Sequence, residues 1–522
     1  MQARRTALLV LMLATAALTG FVTLDARSQA GQRLFQDVFS IVSTRFVDSL
    51  DVSSVYEKAA EGLIAELEDP YAELYSPDEL DDFTAAHQGH YGGLGMLVEL
   101  RDGVPTVARV YPNTPAEHAG MQVGDRVVAV DGDAVSGWPL EKVTGRMKGP
   151  AGTDVELTYR RPGLVDSVAV AITRAVIQIP TVPYTLVLEN GVGYLPLLQF
   201  GETAAEEVAK AVAQLEAEGA TSVVLDLRGN GGGLMDQAVE VAGVFLPRGS
   251  TIVEQQERAG KQAFRSSRQP TAADIPLAVL VDRGSASASE IVAGALQDHD
   301  RAVVIGETTF GKGIVQTAFR VDGGYVLKLT TGEWLTPLGR FIHRQREVVQ
   351  GRLVDANGES PDTSLADRPV YHSDAGRVIY GGGGITPDVR IAQDTLNADE
   401  QAFLQTVLQQ SNDYYAAFAD LAFELKAEAR PGFTVQPEWR DELFSRLQAR
   451  GVEVTRESYD AASGYIDFTL GERIARLAFG DAGAKEWAMQ HDAQLGQALL
   501  LMDGKRTQRE LFAAVPPLDR RS

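Results

Sequence analysis

The chain has 522 residues, 44% of them apolar, which is enough for two to four domains that each bury a core. A formal net charge of −23 excludes nucleic acid as a partner, since phosphates would find repulsion and not neutralisation. The absence of cysteine excludes disulfides, thiolate catalysis and cysteine-based zinc sites.

Arg4 and Arg5 precede an apolar stretch from Thr6 to Leu24, and Ser28-Gln29-Ala30 supplies small residues for a signal peptidase. The stretch is equally long enough to stay as a single N-terminal membrane anchor. Both readings of residues 1–30 predict export, to the periplasm or the outer face of the cytoplasmic membrane. Residues 31–88 predict a helical segment: Leu34, Val38, Ile41 and Val42 recur at helical spacing, as do Val55, Ala59, Leu63 and Leu67. Ser76-Pro77-Asp78-Glu79 is a second helix start, with an N-cap residue, a first-position proline and early acids.

Residues 89–174 change to short strands with glycine turns. Val104–Val110 reads as a strand, Pro115–Gly120 as one helical turn, and Val123–Gly132 as a turn, a strand and a hairpin signal. The segment resembles a PDZ domain. The resemblance places Gly93, Leu94, Gly95 and Met96 in a carboxylate-binding loop, where successive backbone N–H groups form a nest and a bound peptide adds as a strand. Residues 175–395 alternate strands with helices, which predicts an α/β core. The strands are Val192–Leu197, Ser222–Leu227 and Leu277–Val281; the helices are Thr203–Leu215 and Asp236–Val244. Gly381–Gly384 reads as a local turn. Residues 396–522 predict a helical extension containing Glu400–Lys426, Trp439–Ala449 and Lys485–Met502, with no catalytic grouping.

Three motifs carry chemistry. Gly284-Ser285-Ala286-Ser287-Ala288-Ser289-Glu290 ends in a helix start, with Ser287 as N-cap and Glu290 closing a capping box. The same helix start offers free N–H groups, that of Ala288 included, to a developing negative charge. Chemistry alone does not choose among Ser285, Ser287 and Ser289. Thr309-Phe310-Gly311-Lys312-Gly313, followed by Gln316, holds a lysine between glycines. A lysine amine with its ordinary pKa of about 10.4 is protonated and is no base, but burial lowers that value. Asp226-Leu227-Arg228-Gly229-Asn230-Gly231-Gly232-Gly233 follows a buried strand, and its glycines expose backbone donors. It lacks the lysine and hydroxyl ending of a phosphate loop. Of the seven histidines, His299 and His343 fall in the core; neither sits in a motif, and His299 reads as an exposed helix end. No His/Asp/Glu cluster has metal-ligand spacing, so no metal is expected; acyl transfer by a serine and an amine needs no cofactor.

Taken together, these motifs resemble the carboxyl-terminal processing proteases, a tail-specific family of Ser/Lys peptidases, over roughly residues 35–395. Gly383-Gly384-Ile385-Thr386-Pro387-Asp388 falls in the family's order as well. The resemblance implies a crotonase/ClpP-like α/β protease core with an inserted PDZ domain. It implies Ser287 as nucleophile, Lys312 as general base and Gln316 as its assistant. Ala288 and either Gly231 or Gly232 would supply oxyanion donors. Substrates would be proteins or peptides with exposed C-terminal tails. A non-catalytic peptide-binding scaffold and an acyl-thioester enzyme of crotonase type are the alternatives. The extension has three readings: an oligomerisation element that would make a homo-oligomer, a cap over the site, or a docking domain.

Overall fold

The computed structural model describes residues 29–516, apart from 78, 81–88, 102, 112, 162–163, 165, 189, 350–351, 357–364, 366–367 and 394. The expected signal or anchor lies outside the described residues, as does most of the helix that Ser76 was expected to start. No helix among the described residues is long and apolar enough to cross a membrane.

The chain divides into two units. The first contains residues 29–76 and 317–330. Helix 29–45 and helix Val52–Ala65 form its body, and the Phe39 and Tyr56 rings stack at 3.9 Å. Asp51 caps the second helix by accepting the Ser54 N–H at 3.1 Å. The expected all-helical lead is corrected at its end: Glu73–Tyr75 is a strand, paired antiparallel with residues 326–328. Lys328 Nζ donates to Glu73 at 2.9 Å beside that ladder, a cross-strand pairing invisible to a pattern search within the segment.

The second unit holds everything else. Its PDZ-like sheet runs Met96–Arg101, Val104–Val110, Arg126–Val130, Asp154–Arg160, Val168–Thr173, with Met96–Arg101 at the edge. Val107, Val127, Val155 and Leu157 fill the core beneath it, with Val143 and Met147 from the helix Leu140–Met147.

The central sheet of this unit runs Leu186–Val187, Val192–Pro196, Ser222–Asp226, Leu277–Val281, Val303–Gly306, Val389–Arg390. All pairs are parallel except the first. Helices Ala204–Ala217, Met235–Phe245 and Ala288–Asp298 connect successive strands. Alternation decides which side chain meets which layer. Val223, Leu225, Leu277, Val279 and Val281 pack with the connecting helices. Val224, Ala278, Leu280, Val303 and Ile305 face the other way, onto Leu495, Ala498, Leu501, Met502 and Leu511. With both faces covered, the strands read as unbroken apolar runs.

The last two helices, Ala493–Met502 and Gln508–Ala514, are therefore the second layer of the α/β core. The rest of the extension has its own aromatic core around Phe403, Tyr414, Phe418 and Tyr459. Two expected helices are corrected. Glu400–Lys426 is Ala398–Val407 and Ser411–Leu425, parted by a 3₁₀ turn at Leu408–Gln410. Lys485–Met502 is not one helix: Lys485 closes the helix Ser463–Ala488, and Asp492 caps a new one. Gly480, at φ 74° inside Ser463–Ala488, marks a bend that the period could not reveal. Beside it Asp481 receives both Nη atoms of Arg109 at 2.7 Å, tying the extension to the PDZ strand Val104–Val110.

The helix after the serine motif ends on Asp298, which pairs with Arg340 at 2.5 Å where both side chains are fully buried. Arg340→Leu leaves that carboxylate buried without its counter-charge. The expected cost is about 3–5 kcal/mol of unfolding free energy, read by urea denaturation; a loss below about 1 kcal/mol would refute this account.

Candidate functional site

The turns at the carboxyl ends of the neighbouring parallel strands Ser222–Asp226 and Leu277–Val281 meet. The serine turn and the glycine turn are laced together. Ala286 N–H donates to the Asn230 carbonyl at 3.0 Å, and Ser289 Oγ donates to the same carbonyl at 2.8 Å. Ser285 Oγ donates to the Leu227 carbonyl at 2.8 Å. Ser285 and Ser289 are fully buried, while Ser287 between them is half-buried. Two of the three candidate hydroxyls are thus structural.

Ser287 itself sits at φ 55°, ψ −111°, outside the usual regions for a residue with a side chain. It follows a strand and opens the helix Ala288–Asp298. The glycines opposite fit it tightly. Gly232 has φ 105°, and a Cβ there would lie 2.9 Å from Ser287 Cβ and 3.0 Å from Ala288 N. Gly232 N–H is already committed to Asn230 Oδ1 at 2.9 Å. Among the described residues the N–H groups of Gly231 and Ala288 have no acceptor.

Lys312 and Gln316 are half-buried, and Lys312 Nζ donates to Gln316 Oε1 at 2.6 Å. Buried Trp334 donates its indole N–H to the Lys312 carbonyl at 3.0 Å. The Gly381–Gly384 run is more than a local turn: Gly384 packs against Thr309, whose hydroxyl accepts the Ile385 N–H at 2.7 Å.

Glu290 joins the serine turn to the lysine loop. Its Oε2 accepts the N–H of Ser287 and that of Lys312, both at 2.8 Å. Its Oε1 accepts Gly311 N–H at 2.6 Å and Thr309 Oγ1 at 2.5 Å. The carboxyl is fully buried. Burial pushes its pKa above the ordinary glutamate value, although all four donors pull the other way. The capping-box expectation captured one of the four contacts. The other three come from the lysine loop, about twenty residues away, and no sequence signal announced them.

His299 is corrected from an exposed end to a mostly enclosed cap. Its ring nitrogens lie 2.7 Å from Asp374 Oδ2 and 2.8 Å from the Thr251 carbonyl, so both are engaged away from Ser287. No group of His, Asp and Glu suited to a metal occurs among the described residues.

The PDZ loop forms a second candidate site. A cavity of about 230 Å³ is lined by Tyr91, Gly93, Leu94, Met96, Val98 and Met147, among others, along the edge strand. Among the described residues the N–H groups of Leu94 and Gly95 have no acceptor. Gly95, at φ 79°, leaves no room for a Cβ against Thr114. The Gly95 carbonyl takes the Tyr111 N–H at 2.9 Å, which fixes the loop from behind.

Comparison with known proteins gives a consistent result. A family model described as peptidase family S41 matches residues 191–350, and a PDZ domain model matches 106–161. The carboxy-terminal processing protease CtpA of Bacillus subtilis (strain 168) is 33% identical over 357 residues, covering 68% of this chain and 74% of the relative. A probable CtpA-like serine protease of Staphylococcus haemolyticus (strain JCSC1435) is 33% identical over 354 residues, covering 67% and 68%. Among solved structures, a photosystem II D1 C-terminal processing protease aligns at 28% identity over 68% of this chain and 85% of that one, with a TM-score of 0.36.

Glu290→Gln places an amide N–H₂ against two of the four donors. We expect kcat to fall about a hundredfold with the chain folded, because the serine and lysine turns lose their common anchor; peptidase activity within about threefold of wild type would refute the clamp. Linkage adds a stability signature. Where the folded pKa exceeds the unfolded one, the native chain holds the extra proton, so this group's contribution falls as pH rises through that window. The variant's stability deficit is therefore largest in acid and narrows towards neutral pH, as followed by denaturant midpoints.

Proposed function

The chain belongs to peptidase family S41 as a serine-type carboxyl-terminal processing protease, and on that premise we propose that it captures substrate C-terminal tails in its PDZ groove and cleaves with a Ser287–Lys312 dyad. The observation that carries the reading is the Glu290 carboxylate, which holds the Ser287 and Lys312 backbones through one oxygen, Oε2.

Ser287 Oγ attacks the scissile carbonyl as Lys312 Nζ, in its neutral form, takes the hydroxyl proton. The oxyanion accepts hydrogen bonds from Ala288 N–H and Gly231 N–H. Gly231 is favoured over Gly232 because the latter already donates to Asn230. The intermediate collapses, Lys312 returns the proton to the leaving amine, and an acyl-enzyme remains. Water, deprotonated by the same amine, then releases the new carboxyl terminus. Gln316 Oε1 aims the amine towards the serine. Because the base must be neutral, kcat rises with pH until the amine has lost its proton.

At the PDZ groove, the free N–H groups of Leu94 and Gly95 would bind a terminal carboxylate. The tail would pair along Met96–Arg101, with its last side chain in the apolar cavity. The reading retains a crotonase/ClpP-like architecture for the core. It also retains export, to the periplasm or the outer face of the membrane, on the strength of residues 1–30.

The test is hydrolysis of an unstructured protein with an apolar C-terminal tail, run with wild type, Ser287→Ala and Lys312→Ala. Both variants fold and lose at least about a thousandfold in kcat/KM. Amidating the tail raises KM with little change in kcat. Activity that survives Lys312→Ala would move the base elsewhere, and an inert wild type that still binds tails would favour the peptide-binding scaffold.

A further inference from the structure

Arg228 lies in the glycine turn, two residues before Asn230. Its guanidinium carries two carboxylates. Asp226, its chain neighbour, contacts Nη2 at 2.6 Å. The other is Asp492, 264 residues further on, which accepts Nη1 and Nη2 side by side at 2.8 and 2.9 Å. Gln494 Oε1 adds a contact to Nη1 at 3.2 Å. The Arg228 and Asp492 side chains are each 13% exposed, so this fork is charge-assisted and largely desolvated.

Asp492 is itself held firmly. It accepts Lys485 Nζ at 2.7 Å and caps the helix Ala493–Met502 through the Leu495 N–H at 3.0 Å. That helix forms the second layer of the core through Leu495, Ala498, Leu501 and Met502. Asp226, Asp492, Arg228 and Lys485 balance as two anions and two cations. Burial would raise the Asp492 carboxyl, but Arg228 and Lys485 outweigh it and keep the group ionised well below the usual range. The turn beyond Arg228 lies outside the strand ladders and is held by a few backbone bonds, with the Asn230 carbonyl taking the Ala286 N–H and the Gly232 carbonyl the Phe200 N–H, both at 3.0 Å, and by side-chain contacts. Arg228 N–H bonds to Asp226 Oδ1 at 3.0 Å, Gly229 N–H to Asp282 Oδ1 at 2.9 Å, and Gly232 N–H to Asn230 Oδ1 at 2.9 Å. Among these restraints the Arg228 fork is the one that ties the turn to the C-terminal extension.

We propose that Asp492 is a positioning residue for the reaction: by holding Arg228 it keeps the Gly231–Gly233 backbone against Ser287, and so makes the C-terminal extension part of the catalytic apparatus. The catalytic consequence rests on the peptidase reading above; the anchoring of the turn does not.

The test uses Asp492→Asn in the full chain. Asparagine keeps the helix cap and the side-chain volume but loses the charge. Glu424→Gln, which breaks the Glu424–Arg446 pair elsewhere in the extension, is the control. We expect kcat to fall about tenfold with KM within about twofold of wild type, and no change in the control. Hydrogen exchange, measured in a Ser287→Ala background, is expected to quicken at least about tenfold across residues 227–233 with global melting unchanged. Exchange across the turn equal to that of the parent overturns the proposal, as does a kcat within about twofold of wild type. A wild type without peptidase activity, combined with faster exchange in the variant, removes the peptidase reading and upholds the anchoring. Should Asp492→Asn fail to fold, Arg228→Lys retains the charge without the fork and must reproduce both losses.

Discussion

One fully buried carboxylate organises this molecule's chemistry. Four neutral donors converge on Glu290, three backbone N–H groups and one hydroxyl. A buried anion of that kind is costly unless every lone pair is met, and an arrangement that meets them has little freedom. The serine turn and the lysine loop therefore cannot shift independently. The strained backbone at Ser287 fits the same constraint: φ of 55° is held because its N–H is fixed to Glu290 and its neighbours Ala286 and Ser289 are fixed to Asn230.

Beside that clamp the glycine turn takes many of its restraints from distant chain. Asn230 donates its side-chain amide to the Leu197 carbonyl at 2.7 Å and accepts Gly232 N–H. Arg228 is gripped from the extension. The same extension grips the PDZ strand through Asp481 and Arg109. One short element of the extension, spanning the end of one helix and the cap of the next, thus touches the PDZ module and the turn beside Ser287, within eleven residues of sequence, Asp481 to Asp492. The family match at 191–350 covers the serine and lysine motifs and leaves this element out.

Much of the architecture could be read from local pattern. The strands Val104–Val110 and Leu277–Val281 occur with the expected bounds, because turn residues flank short valine-rich runs. The Pro115 turn and the helix from Ser287 followed from capping chemistry. The failures share a cause. Glu73–Tyr75 is a strand only because residues 326–328 lie beside it. The breaks at Leu408–Gln410 and Asp492 fall within apolar periodicity that runs on regardless; at Asp492 the helix before packs in the aromatic core and the helix after on the central sheet, whereas both helices about Leu408–Gln410 share the aromatic core.

The sequence by itself determined the inventory: a serine run closed by a glutamate, a lysine between glycines, a glycine turn after a buried strand, and a PDZ module ahead of them. Those are local facts of residue type and spacing. Only the tertiary structure decided how they act together. It buried Ser285 and Ser289 against backbone carbonyls and left Ser287 half-exposed. It committed Gly232 N–H and left that of Gly231 free among the described residues. It made Glu290 a four-point clamp and found Arg228 its partner 264 residues away. Hydrogen-bond satisfaction in a buried site is a property of all the atoms that converge there, and no window along the chain contains them.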